Sequence, residues 1–201
     1  MFFLIGQKWF CGEMQAVIYN LGLIFWIASE LGIFLLSGRT DQKDRQATVY
    51  DNMSIYGIIA ANVTSCLLVL LGAQHLQIKL PSAVASAGII LFYCGIALRV
   101  YSVWTLRKYF TVSVEIKTGH KLIRKGPYRY IRHPSYSGSI LSLIGMQIGL
   151  RSPVGFAVSL VLAFWAYNYR IHVEEDAMTD SFGAEYENYK KTTKRIIPFI
   201  F

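Results

Sequence analysis

A short polar sequence, Arg132-His133-Pro134-Ser135-Tyr136, immediately precedes an apolar stretch of the chain. Proline holds the residue before it in an extended conformation and suits the first position of a helix, so we predict a helix that begins at Pro134. The backbone N–H groups at a helix amino terminus attract anions, and Arg132 and His133 place basic side chains beside them. The sequence predicts a site here for an amino-acid carboxylate, a phosphate or a lipid headgroup. Simple contact with phospholipid at the end of a membrane helix is the alternative.

A second polar pair follows another apolar stretch. Arg170 and Glu174 lie four residues apart, which places them on one face of a continuous helix. They form either a surface ion pair, worth about 0.3–0.5 kcal/mol, or a pair separated by a ligand. In the second case Arg170 binds a carboxylate through two N–H groups, and Glu174 binds an ammonium group.

The rest of the chain is unusually apolar. Of its 201 residues, 54% are hydrophobic and 16% charged, whereas soluble domains carry about 25% charged residues. So much apolar surface cannot be buried in a core of this size, and we predict an integral membrane protein. The net charge of +8 is then attributed to loops beside anionic lipid rather than to nucleic acid. The sequence contains no Cys or His spacing typical of a metal site.

The elements that must position the polar residues are five apolar segments. The last two are joined by Arg151-Ser152 alone, which predicts an antiparallel helical hairpin. The expected fold is an all-α integral membrane protein with a cytoplasmic cofactor-binding cap. The predicted spans are residues 16–36, 55–72, 83–100, 136–150 and 153–169.

The distribution of basic residues predicts the orientation. Sixteen of the twenty Lys and Arg lie in residues 37–54, 101–135 and 170–201, against three in the segments predicted for the other side. Basic loops face the cytoplasm, so the amino terminus is expected outside and the carboxyl terminus inside.

Small residues and one acid within the spans also carry expectations. The pairs Gly57 with Ala61, Gly88 with Gly95, and Gly145 with Gly149 predict close helix packing. Glu30 in the first span is either a site residue or the partner of a loop cation. Residues 195–201 are expected to fold back onto the membrane interface, and Phe164, Trp165 and Tyr167 are candidates to line a lipid path.

Four polar clusters follow one another in the second half of the chain. They are Gly126-Pro127-Tyr128, Arg132-His133-Pro134-Ser135-Tyr136-x-Gly138, Arg170 with Glu174-Glu175, and Phe182-Gly183-x-Glu185-Tyr186-x-x-Tyr189. Their order and spacing resemble the isoprenylcysteine carboxyl methyltransferase family, within a broader group that includes phospholipid methyltransferases. The resemblance covers about residues 105–198 and divides the chain into a three-span bundle, 1–104, and a methyltransferase region, 105–201.

The resemblance implies S-adenosylmethionine as the cofactor, with S-adenosylhomocysteine as the product, and a prenylated cysteine or similar lipid as the methyl acceptor. It implies that Arg170 is the catalytic residue that faces and binds the acceptor, and that Glu174 meets the ammonium group of the cofactor. The other cofactor-binding residues that it implies are His120, Lys121, Leu122, Ile123, Tyr128, His133, Pro134, Ser135 and Tyr136.

Other functions remain open at this point. A phospholipid N-methyltransferase needs a base to deprotonate its amine, for which His172 and Glu175 are available. The Arg-His-Pro element also resembles the carboxyl-terminal half of membrane sterol reductases, which use NADPH and are much longer. A non-enzymatic membrane bundle explains the spans but not the clustering of polar residues on one side. Oligomeric state is not predicted.

Overall fold

Six α-helices and a short two-stranded ribbon form the described part of the computed structural model, which comprises residues 13–41, 48–51, 54–75, 80–116, 119 and 121–197. The helical fold expected from the sequence is confirmed, and the ribbon is an addition to it. In chain order the elements are α1 (Glu13–Asp41), β1 (Thr48–Asp51), α2 (Ser54–His75), α3 (Ser82–Leu106), β2 (Val114–Ile116), α4 (Pro134–Gly149), α5 (Pro153–Phe182) and α6 (Ala184–Thr192).

Each of the five predicted spans coincides with one of the helices α1 to α5. Among the described residues, the helices long and apolar enough to cross a membrane are Glu13–Leu35, Ser82–Leu106 and Pro153–Phe182. Helix α4 begins at Pro134 as predicted and has 16 residues, a length of about 24 Å, less than the ~30 Å hydrocarbon core. Five crossings therefore stay a prediction.

Helices α3 and α4 pack backbone against backbone. A Cβ atom added to Gly95 would lie 2.3 Å from the Ser142 nitrogen, and one added to Gly88 would lie 2.4 Å from the Gly149 nitrogen. Glycines allow such approach because they have no side chain. The predicted close packing is confirmed for Gly88, Gly95 and Gly145 but is wrong for Gly57, where an added Cβ meets no described atom within 4 Å.

The turn between α4 and α5 forms the predicted hairpin. Arg151 adopts a positive φ of 58°, accepts a hydrogen bond from the Leu80 N–H at 3.0 Å and donates from Nε to the Leu80 carbonyl at 2.6 Å. The Ser152 hydroxyl then accepts the Gly155 N–H at 3.0 Å and caps α5. These bonds tie the hairpin to the segment before α3.

Helix α5 has two parts. Residues 153–169 are apolar and leave large side chains such as Val161, Phe164 and Trp165 about two thirds exposed, as lipid-facing positions are. From Arg170 onward the helix is polar. Its 30 residues span about 45 Å, so the polar part extends beyond the bilayer core.

Two pairings bring distant parts of the chain against this polar end. Strands β1 and β2 pair antiparallel, a contact that the sequence did not predict because each strand has only three or four residues. A parallel bridge joins Ile131 and Lys194. The segment after α6 therefore runs along the residues preceding α4, rather than simply folding onto the interface, and residues 198–201 lie outside the described part.

Candidate active site

The residues predicted from the sequence line one cavity at the polar end of the helices. It encloses about 830 Å³, including the space at its open side. The predicted residues in its lining are Leu122, Ile123, Tyr128, His133, Ser135, Tyr136, Arg170 and Glu174. Pro134 is buried behind the lining, Lys121 is exposed outside it, and His120 lies outside the described residues. The structure thus brings together residues from three of the four polar clusters and from the segment 122–123.

Arg170 is held by three different parts of the chain. Its Nε donates to the Tyr136 hydroxyl at 3.1 Å, its Nη1 donates to the Ser54 hydroxyl at 2.6 Å, and its Nη2 donates to the Val112 carbonyl. The residue is only 3% exposed, so a surface ion pair does not describe it. Bonds from all three nitrogens fix both the plane and the direction of the guanidinium.

The Tyr136 hydroxyl connects Arg170 to Glu174. It accepts from Arg170 and donates to Glu174 Oε2 at 2.6 Å, a short bond as expected for a carboxylate acceptor. The Tyr136 ring stacks on His133 with a centroid distance of 5.5 Å and an interplanar angle of 5°. One side chain therefore positions the guanidinium and the carboxylate relative to each other.

Glu175 holds the other cations of the site. It accepts from Arg132 Nε at 2.7 Å, contacts His133 Nε2 at 3.2 Å and accepts from Arg195 Nε at 3.1 Å. Burial disfavours its charge, but the hydrogen bonds and positive charge of His133 and Arg132 outweigh this and lower the pKa of Glu175 to about 2. Glu175 is thus an ionised anchor under the cavity, a role that the sequence alone did not separate from that of Glu174.

Tyrosines of α6 close another side of the cavity. Tyr186 and Tyr189 line it and are buried, and the Tyr189 hydroxyl donates to the Tyr128 carbonyl at 2.6 Å. Burial raises the pKa of all three tyrosines, so their hydroxyls stay neutral donors. The sequence motifs alone did not identify Tyr186 and Tyr189 as site residues. Their spacing of three residues on an amphipathic helix, which places both on one face, was the signal available.

Helices α1 and α3 reach the site through polar contacts. Arg99 of α3 pairs with Glu30 of α1, with 2.7 Å between Nη2 and Oε2, and donates from Nη1 to the Ser135 hydroxyl at 3.0 Å. The structural interpretation of Glu30 is therefore supported, although its partner lies on a neighbouring helix and not in a loop. Phe164 and Trp165 face outward, whereas Tyr167 is buried in the core.

Comparison with known proteins identifies the region that carries this cavity. Residues 88–180 match the isoprenylcysteine carboxyl methyltransferase family, which confirms the resemblance seen in the sequence motifs. This match covers slightly less than half of the chain. The family region includes the α3–α4 contact, the residues preceding α4 and the polar part of α5 as far as Asp180, whereas Ser54, Tyr186 and Tyr189 lie outside it.

Relatives of the isoprenylcysteine carboxyl methyltransferase family are similar over part of the chain. A probable protein-S-isoprenylcysteine O-methyltransferase of Oryza sativa subsp. indica is 34% identical over 120 residues, which are 58% of this chain and 62% of the relative. The protein-S-isoprenylcysteine O-methyltransferase of Rattus norvegicus is 31% identical over 126 residues, 62% of this chain and 44% of the relative. The matches therefore span less than two thirds of these relatives.

The fold is also similar to a solved structure. The eukaryotic intramembrane Ras methyltransferase of the same family superposes with a TM-score of 0.59 at 21% identity, over 94% of this chain and 75% of that one. The likeness extends over α1 and α2, beyond the family match. It confirms an intramembrane helical fold for nearly the whole chain.

Proposed function

We propose that this chain transfers a methyl group from S-adenosylmethionine to the carboxylate of a prenylated cysteine or a closely similar lipid. The observation that carries the proposal is the arrangement Arg170–Tyr136–Glu174, which presents a fixed guanidinium and a carboxylate in one cavity. In this proposal the guanidinium of Arg170 binds the acceptor carboxylate, and the carboxylate of Glu174 binds the ammonium group of the cofactor.

The cavity residues fit this cofactor. Glu174 is available for the ammonium group, and the amino terminus of α4 with His133 and Ser135 for the carboxylate. Leu122, Ile123 and the buried tyrosines supply apolar walls for a planar base. When bound, the cofactor supplies an electrophilic methyl group on a sulfonium sulfur.

The chain's own contribution is positioning rather than proton transfer. A carboxyl terminus has a pKa of roughly 3.5 and is already ionised at pH 7, so no general base is required. Arg170 orients the acceptor carboxylate without taking a proton. The buried surroundings of Arg170 exclude water from the nucleophile, and alignment of the reacting groups is a large source of rate.

The positions and contacts of the two candidate bases, His172 and Glu175, favour a carboxylate acceptor over an amine. His172 is exposed, and its Nδ1 contacts the Asn168 carbonyl at 2.7 Å. Glu175 is engaged by Arg132 and Arg195, and its pKa of about 2 makes it a poor proton acceptor. Neither residue is in the lining of the cavity formed by the described residues, so these two candidate bases are not placed to deprotonate a phosphatidylethanolamine-type amine there.

We also propose an orientation of the protein in the membrane and a separate role for each half of the chain. The amino terminus lies outside and the cavity faces the cytoplasm, where the soluble cofactor meets an acceptor held in the bilayer. Residues 1–104 form the bundle and residues 105–201 the methyltransferase region. No nucleic acid or metal is involved.

Titration calorimetry with S-adenosylhomocysteine tests the cofactor first. We expect Glu174→Ala to weaken this affinity about tenfold to a hundredfold, as loss of a hydrogen bond to a charged group does. Asp176→Ala removes an exposed acid from the same helix and is the matched control. No binding to the unaltered protein would reject the proposal.

Methylation assays with a prenylcysteine analogue and with phosphatidylethanolamine test the acceptor. We expect turnover of the carboxylate only, and a large loss of kcat/KM in Arg170→Ala with a much smaller change in S-adenosylhomocysteine affinity. Arg129→Ala, which removes an exposed arginine, serves as the control. Turnover of the amine alone would contradict a carboxyl acceptor.

A further inference from the structure

The guanidinium of Arg170 depends on a residue from the first half of the chain. Ser54, the first residue of α2, accepts a hydrogen bond from Arg170 Nη1 at 2.6 Å across 116 residues of sequence. Its side chain is only 4% exposed. Ser54 lies outside the region that matches the family, residues 88–180, so the motifs of that family assign no role to it.

A second serine supports the same guanidinium indirectly. Ser37 of α1 accepts the Val112 N–H at 2.8 Å, and the carbonyl of Val112 accepts from Arg170 Nη2. Ser37 is 3% exposed. Helix α2 therefore places one buried hydroxyl against the guanidinium, and α1 places another against the residue whose carbonyl accepts from it.

We infer that Ser54 is a positioning residue that sets the direction of Arg170 toward the acceptor carboxylate. The inference rests on the proposed function. Its hydroxyl and the Val112 carbonyl are neutral, so these two contacts direct the guanidinium without offsetting its charge. Because a carboxylate is matched by two N–H groups in one plane, rotation of that plane removes the match. The first half of the chain thereby contributes to acceptor selectivity.

The readout that separates positioning from general stability is discrimination between a carboxylate and its ester. The unaltered protein should bind a prenylcysteine analogue more tightly than the methyl ester of the same compound, because only the first has a charge for Arg170. In Ser54→Ala this preference should fall about tenfold or more. Affinity for the ester and for S-adenosylhomocysteine should stay within twofold.

Two further variants serve as controls. Ser65→Ala removes another buried hydroxyl of α2, which donates to the Ala61 carbonyl within its own helix, and should leave the preference unchanged. Ser54→Thr keeps a hydroxyl and should restore most of it. Binding of S-adenosylhomocysteine confirms that each variant is folded.

The outcomes distinguish the inference from the function on which it rests. If the unaltered protein neither prefers nor methylates the carboxylate, both are rejected. If it does so and Ser54→Ala keeps the full preference, only the role of Ser54 is rejected. Equal losses in Ser54→Ala and Ser65→Ala would also reject it, because the effect would then be one of helix stability. A loss confined to Ser54→Ala and reversed by Ser54→Thr supports it.

Discussion

At the residue scale, the unusual feature is a single phenol shared by two charged groups. The Tyr136 hydroxyl accepts from Arg170 and donates to Glu174. In the proposed function these groups hold two different ligands. A ligand that fixes either group also fixes the phenol, so each binding event should prepare the other site. Such coupling between sites is reciprocal by thermodynamic necessity.

Replacement of Tyr136 by Phe tests this coupling. We expect the affinity for S-adenosylhomocysteine to rise several-fold when a prenylcysteine analogue is present, and this rise to disappear in Tyr136→Phe. Calorimetric titration with and without the analogue measures it. Tyr169→Phe removes an exposed hydroxyl and should retain the effect. Equal coupling in the protein and in Tyr136→Phe would contradict the shared role.

Glu175 should behave as an anchor and not as a reactive group. Glu175→Gln should lower the free energy of unfolding by about 2–4 kcal/mol, because Arg132, whose side chain is 9% exposed, loses its anionic partner. Glu174→Gln changes the adjacent glutamate, which lines the cavity, and should lower the free energy of unfolding much less. Thermal unfolding in detergent at pH 7 measures both variants, and equal stability of Glu175→Gln would contradict the anchor.

The pH dependence of the Glu175 contribution follows from its pKa of about 2. The usual value of a glutamate is about 4.3, so the folded state holds this proton less tightly than the unfolded state. The stabilisation is complete above about pH 5 and is lost as the pH falls from about 4 toward 2. The stability difference between the protein and Glu175→Gln should therefore shrink as the pH falls below about 4.

At the element scale, the contact of α3 with α4 positions the amino-terminal residues of α4, Ser135 and Tyr136, which line the cavity. Gly95→Ala should destabilise the protein, because its Cβ would lie 2.3 Å from the Ser142 nitrogen and the backbones would have to separate. Gly57→Ala adds the same methyl group where no described atom lies within 4 Å and should be neutral or stabilising by up to about 1 kcal/mol. Thermal unfolding of the two variants compares them, and equal losses would contradict a packing role for Gly95.

The elements also show which parts of the site the sequence can predict. The start of α4 at Pro134 and the spacing of Arg170 and Glu174 depend on neighbours in sequence, and both were predicted correctly. Ser54, Ser37 and Arg99 reach the site across long stretches of sequence, and a serine in a helix carries no local mark of a distant partner. The β1–β2 ribbon was missed for the same reason, since short strands gain their stability from pairing rather than from intrinsic preference.

At the scale of the whole molecule, the outer surface and the charge distribution determine how the protein lies in a bilayer. Large apolar side chains are exposed along α1 and the first part of α5, whereas sixteen of the twenty Lys and Arg lie in the segments predicted to be cytoplasmic. Exposed apolar helix faces therefore determine the contact with lipid, and basic loops determine the orientation.

Labelling of single cysteines tests the orientation. After replacement of the native cysteines, Ser181→Cys at the exposed end of α5 should react with a membrane-impermeant thiol reagent only from the cytoplasmic side. Pro81→Cys, exposed before α3, should react only from the other side. Labelling of both from the same side would contradict the predicted topology.

The pairing of residues 130–133 with the segment after α6 has a consequence for biosynthesis. The His133 N–H donates to the Arg195 carbonyl, and the Arg132 N–H to that of Lys194. Translation proceeds at about 5–20 residues per second, so a nascent chain contains all of α1 to α5 for roughly one to three seconds before these carbonyls exist. The membrane helices can assemble during that interval, but the amino terminus of α4 is secured only after residue 195 is made. The amino terminus of α4 can therefore bind a ligand in this geometry only after the five membrane helices have been synthesised.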